Sequence, residues 1–126
     1  MSWQTYVDSN LVGSGKVTKA AIIGLQGGLW AKSSGFEPTT EEQNALIAGF
    51  KNPDSLLASG VKLAGTKYFT LSANARTIQT KKGADGAIIV KTKQAILVAV
   101  YIAPLQAGEV VPVVESLADY LINAGY

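Results

Sequence analysis

The sequence predicts an α+β domain: an antiparallel sheet with helices from both ends of the chain available to cover one face. Three observations carry this. Apolar residues recur at helical spacing only near the two ends and in one stretch after Pro38. Between these stretches, short apolar runs are punctuated by Gly, Asn and Ser. Successive runs are joined by turns too short for a crossover, which makes neighbouring strands hairpins. The order is helix, two strands, helix, about five strands, helix. With 126 residues, one domain spanning 1–126 is expected.

The first helix opens at Ser2, whose hydroxyl suits an N-cap. Val7 and Leu11 lie four apart and serve the core. Trp3, Tyr6 and Asn10 share another face, one that need not be buried. Gly13-Ser14-Gly15-Lys16 is a turn rather than a phosphate loop. Asn10 stands where such a loop needs its first Gly, and Val17 where it needs Ser or Thr.

Val17 to Gly24 reads as a strand. Gln26-Gly27-Gly28 turns the chain, and Leu29 to Lys32 returns with Trp30. A second helix begins at Pro38-Thr39-Thr40-Glu41-Glu42, with Thr39 or Thr40 as cap and two acids in its first turn. Asn52-Pro53 breaks it, and Asp54 to Ala58 makes one more turn. Strands follow at Val61–Ala64, Lys67–Ala73 and Thr77–Thr80, with residues 81–86 as a turn. Ala87–Thr92 and Ala95–Tyr101 are the most apolar, as strands covered on both faces should be. Gln106 to Gly125 is a long helix with Val110, Val113, Val114, Leu117 and Leu121 as its stripe. Pro112 belongs in a first turn, which places the helix start near Ala107 to Glu109.

Composition excludes several functions. Hydrophobic residues make up 48% and charged residues 16%, enough apolar material for a core. A net charge of +2 is too small to imply nucleic acid. There is no Cys and no His. A Ser-His-Asp triad, a Cys nucleophile and a His or Cys metal site are therefore impossible. The run Ala95 to Tyr101 is too short to span a bilayer, and the start lacks the basic-then-apolar order of a signal peptide. Glu115 and Asp119 lie four apart on one helix, where solvation of its outer face accounts for them better than catalysis.

Two constellations remain. Trp3 and Tyr6 near one end, Tyr120 and Tyr126 near the other, and Trp30 between them could gather if the terminal helices pack together. They are then either core or an exposed groove. A groove of flat rings suits a polyproline II segment, whose preformed shape loses little entropy on binding. The second constellation is basic: Lys67, Arg76, Lys81, Lys82, Lys91 and Lys93. Neighbouring strands could place several on one surface, where an acidic protein or an anionic lipid headgroup would meet them. A solvated sheet surface is the plainer reading. A sensory module that encloses a small ligand on a similar sheet is a further alternative.

The chain resembles the profilins, most closely those of amoeboid protists. The resemblance covers essentially the whole length. It is carried by residues 2–8 (SWQTYVD), Trp30-Ala31, Lys81-Lys82-Gly83, Val90-Lys91-Thr92 and residues 117–122 (LADYLI). It implies a sheet of six or seven strands, terminal helices on one face and smaller helices on the other. It implies no enzymatic activity and no cofactor or metal. It implies a cytoplasmic, cytoskeleton-associated monomer that sequesters actin monomers and regulates their polymerisation. Its partners would be monomeric actin, proline-rich proteins such as formins, and phosphoinositide lipids. A form with weakened actin binding that keeps its proline-rich ligands is the alternative within this resemblance.

The resemblance also assigns residues. Trp3, Tyr6, Trp30 and Tyr126 would bind proline-rich peptides, with Asn10, Tyr120 and Leu121 beside them. Arg76, Ile78, Lys81, Lys82, Lys91, Gly108 and Glu115 would meet actin. Arg76, Lys81, Lys82 and Lys91 would meet phosphoinositides. The two protein-binding sites are expected on opposite sides of the sheet.

Overall fold

The computed structural model describes residues 2–126. Seven strands form one sheet: β1 (Lys19–Gly24), β2 (Leu29–Lys32), β3 (Val61–Leu63), β4 (Thr66–Ala73), β5 (Thr77–Lys82), β6 (Asp85–Lys91) and β7 (Ala95–Tyr101). Their order is β2-β1-β7-β6-β5-β4-β3, and each paired neighbour is antiparallel. The helices are α1 (Trp3–Thr5), α2 (Thr40–Lys51), α3 (Pro53–Ser59) and α4 (Ala107–Asn123). None is long and apolar enough to cross a membrane.

Two cores sandwich the sheet. On one face Ile22, Ile88, Val90 and Leu97 pack against Val7, Leu11, Val114, Leu117 and Leu121 of the terminal helices. On the other, Ile23, Ile89 and Val98 pack against Leu46, Phe50 and Leu56 of α2 and α3. Every residue of β7 is buried, as its unbroken apolar run requires.

Four local features differ from the sequence expectation. Only the first turn of the N-terminal helix is α. Tyr6–Leu11 winds as a π-helix and Val12–Ser14 as a 3-10 turn. The Val12 N–H bonds back to the Val7 carbonyl. A Cβ at position 13 would stand 2.7 Å from the Asp8 carbonyl oxygen, so this wide turn needs Gly13. Val7 and Leu11 are both fully buried beneath it.

Residues 81–86 are mostly strand. Gly83, with φ +62°, lets the chain reverse sharply. Lys82 is thereby paired with Asp85 across the β5–β6 hairpin.

Likewise Ala64 leaves the strand. With Gly65 it forms the β3–β4 turn, at φ +51° and +83°. Glu42 fixes that turn, accepting the amide N–H of Ala64 at 2.7 Å and of Gly65 at 2.9 Å. The same carboxylate completes a capping box with Thr39 at the start of α2. Burial alone would raise the pKa of Glu42. The amides of Gly65, Thr39 and Ala64, with Lys62 nearby, outweigh it and hold the carboxyl below its ordinary value.

Pro112 lies in the second turn of α4, not the first. It cannot donate to the carbonyl four residues back, at Gly108, an exposed residue open to water.

Candidate functional site

The rings of the terminal segments come together. Ser2 caps the first turn by accepting the Thr5 amide at 3.2 Å, which sets Trp3 at the start of the helix. Gln4 then ties this helix to β2, donating to the Lys32 carbonyl at 2.7 Å. Trp30, two residues before Lys32 in β2, is thus brought beside Trp3. Their ring centroids are 4.7 Å apart and their planes tilted by 47°. Tyr6 follows at 5.7 Å from Trp3, and Tyr120 of α4 at 6.1 Å from Tyr6. Tyr126 meets Trp3 edge-on at 5.3 Å. These separations are those of interacting aromatic pairs.

The rings line a surface and are not core. Trp30, Tyr120 and Tyr126 are 36%, 55% and 44% exposed, and Trp3 and Tyr6 are partly so. Burial, and then the neighbouring Tyr120 hydroxyl, push the Tyr6 phenol above its ordinary value, so Tyr6 is a neutral O–H donor at physiological pH. Asn10 is exposed on the same helix. Leu121 departs from expectation: it is fully buried against the sheet and has no surface for a ligand. Its part is to seat α4.

Residues not singled out in the sequence hold these rings in place. Trp30 lies over Gly24, where a Cβ would stand 2.5 Å from the indole Nε1. Tyr126 is anchored from the β6–β7 turn. Its main-chain oxygen accepts the Gln94 amide at 2.6 Å and the Thr92 hydroxyl at 2.9 Å. The only sequence signal for this anchor is a Thr at the start of a tight turn, which many turns carry.

A second constellation gathers around the far flank of α4. Arg76 donates through Nε and Nη2 to Glu115 Oε2 at 3.0 and 2.8 Å, and through Nη2 to Asp119 Oδ1 at 2.8 Å. Thr77 donates to Glu115 Oε1 at 2.6 Å. The carboxylates of Asp119 and Glu115 raise the pKa of the guanidinium further. Lys81 and Gly108 border an open hollow of about 560 Å³ with Leu71, Tyr101 and Leu105. Phe69 and Leu71 of β4 stand exposed on this side. The alternating pattern of β4 does not distinguish them from core residues.

The basic residues do not form one patch. Arg76 and Lys81 belong to the α4 side of the sheet. Strand alternation places Lys82 on the opposite face, with buried Ile78 and Thr80. Lys91 also lies there, beside Ile47 and Phe50. Ile78 is fully buried in the core under α2 and α3 and cannot meet a partner directly. The ring groove and the Arg76 cluster also share one face of the sheet. They are separated by α4, with Tyr120 on one flank and Glu115 and Asp119 on the other, and not by the sheet as expected.

Fold and surface together define a class: a small antiparallel-sheet binding domain that presents aromatic rings between its terminal helices. Comparison with known proteins gives the family. A family model described as Profilin matches residues 1–126. Profilin-1B of Acanthamoeba castellanii is 55% identical over 126 residues, covering all of both chains. Drosophila melanogaster profilin is 49% identical, again over all of both chains. The solved structure of Acanthamoeba castellanii profilin IB superposes with a TM-score of 0.96 at 54% identity, covering 99% of this chain and 100% of that one. The chain belongs to the profilin family of non-enzymatic, actin-binding proteins of the cytoskeleton.

Proposed function

We propose that the rings of Trp30, Trp3, Tyr6, Tyr120 and Tyr126 form the groove that binds proline-rich segments, and that the Arg76 side of α4 meets the actin monomer. The observation that carries this reading is the unbroken run of ring contacts from Trp30 to Tyr120, open to solvent along its length. A polyproline II ligand leaves its carbonyls unpaired, and Trp N–H and Tyr O–H groups are the donors it needs. Mouse profilin IIa, which shares the fold at a TM-score of 0.82 and 20% identity, was solved in complex with a double repeat from the FH1 domain of mDia1.

On the other flank, Lys81 and Gly108 border the hollow beside exposed Phe69 and Leu71, and the Arg76–Glu115 ion pair lies further along the same side of α4. An apolar centre with a charged rim suits a protein partner. Binding there would cap one surface of an actin monomer and leave the groove free to tether it to proline-rich elongation factors, raising its local concentration. On the α4 side Lys81 is the cation available for an anionic lipid headgroup, since Arg76 is engaged by carboxylates, while Lys82 and Lys91 are available on the opposite face. The protein would act as a monomer in the cytoplasm, its 126 residues working as one domain.

Tryptophan fluorescence during titration with poly-L-proline tests the groove. Both tryptophans lie in it. A saturable change that Trp3→Ala abolishes supports the assignment. No change in folded protein at millimolar proline residues would make these rings packing residues.

A further inference from the structure

Beyond Tyr120 the ring groove continues into an open trough of about 490 Å³, between the end of the first helical segment and α4. Pro112, Val113 and Leu117 supply its apolar surface, and Tyr120 belongs to both trough and groove. Asn10 and Ser116 are exposed at its edge, each with side-chain hydrogen-bonding capacity. Among the described residues, no charged side chain lines it.

Length sets what the rings alone can hold. Successive steps from Trp30 to Trp3, Tyr6 and Tyr120 are 4.7, 5.7 and 6.1 Å. A polyproline II helix advances about 3.1 Å per residue, so each step takes about two residues and the four rings about six. Tyr120 also lines the trough, so a longer ligand that continues past it meets the trough's residues.

We propose that this trough is a second subsite of the peptide groove, which takes the uncharged residues that continue a proline-rich ligand past Tyr120. The proposal rests on the peptide-binding reading of the rings. The occupant follows from two observations. The trough is continuous with the ring groove through Tyr120, and its lining has no charge to match an ionic partner. Asn10 and Ser116 donate to the carbonyls that an extended peptide leaves unpaired.

The test compares hexaproline with decaproline by calorimetry, on wild type and Ser116→Gln. Glutamine at 116 fills the trough without adding charge, and position 116 is exposed, so folding is preserved. Ser116→Gln should weaken decaproline at least about fivefold and hexaproline less than about twofold. Amide NMR resonances of Val113 and Ser116 should shift with decaproline and stay still with hexaproline. If hexaproline binds wild type but decaproline affinity is unchanged in Ser116→Gln, the subsite is overturned and the ring groove stands. If neither peptide binds wild type, both readings fall. Sedimentation showing a wild-type dimer that Ser116→Gln dissociates would give the trough to a second copy of the chain and overturn the proposal.

Discussion

The hydroxyl of Thr92 donates to the main-chain oxygen of Tyr126 at 2.9 Å and so couples the β6–β7 turn to one edge of the aromatic groove. The same oxygen atom of Thr92 accepts the Ala95 amide at 3.1 Å, inside the turn. Thr92→Val keeps the shape and removes both bonds. It should lower stability by about 1–2 kcal/mol, since Thr92 is buried. It should also weaken poly-L-proline binding severalfold, because Tyr126 loses an anchor. Urea unfolding and the fluorescence titration read the two effects separately.

Gly24 is the seat of Trp30. A methyl group there would meet the indole at 2.5 Å, and an exposed ring can move away where a core ring cannot. Gly24→Ala is therefore expected to fold, with Trp30 displaced from Trp3. Poly-L-proline affinity should fall about tenfold, the scale of losing one aromatic anchor. Unchanged affinity in the folded variant would mean that Trp30 is not part of the groove.

Glu42 makes the fold sensitive to acid. Its pKa is lowered in the folded state, so its contribution is fully present above the unfolded carboxylate value of about 4.3. That contribution is lost as pH falls from there through the lower folded value. Glu42→Gln cannot accept at both oxygens and should cost about 2 kcal/mol at pH 7. The gap between wild type and variant should narrow as pH falls below about 4. Urea midpoints at pH 7 and pH 3 measure it.

Arg76 is held by two carboxylates at the surface, with 41% of its side chain exposed. Such a network contributes little to stability, and Arg76→Ala should cost below about 1 kcal/mol. Its larger effect is expected on actin. Inhibition of spontaneous pyrene-actin assembly should need about tenfold more of the variant. Poly-L-proline affinity should stay within about twofold, since α4 lies between the two sites.

The strands and helices were legible because period and punctuation agree: apolar runs between tight turns for β6 and β7, a helical stripe from Val110 to Leu121 for α4. The aromatic groove was legible in part, because Trp3, Tyr6 and Asn10 share helical spacing and the other rings lie in elements that could meet them. Helical spacing already put Leu121 in the apolar stripe of the final helix, and only the resemblance set it beside the rings; Ile78 could not be separated from surface residues, since family position does not report burial. The basic patch failed for a geometric reason. Side chains alternate across a strand, so consecutive Lys81 and Lys82 face opposite ways. The anchoring of Tyr126 by Thr92 spans 34 residues and leaves no local pattern. Nor does any spacing in the first helix announce its π turn, although Gly13 is what accommodates it.

With α4 between them, the two surfaces are expected to be occupied together. The fluorescence anisotropy of a labelled decaproline titrated with this protein, with and without excess monomeric actin, measures this. Actin should raise the anisotropy plateau, as the peptide joins a larger complex, while the dissociation constant stays within about twofold. Actin that returned the anisotropy to that of free peptide would show instead that one surface serves both partners.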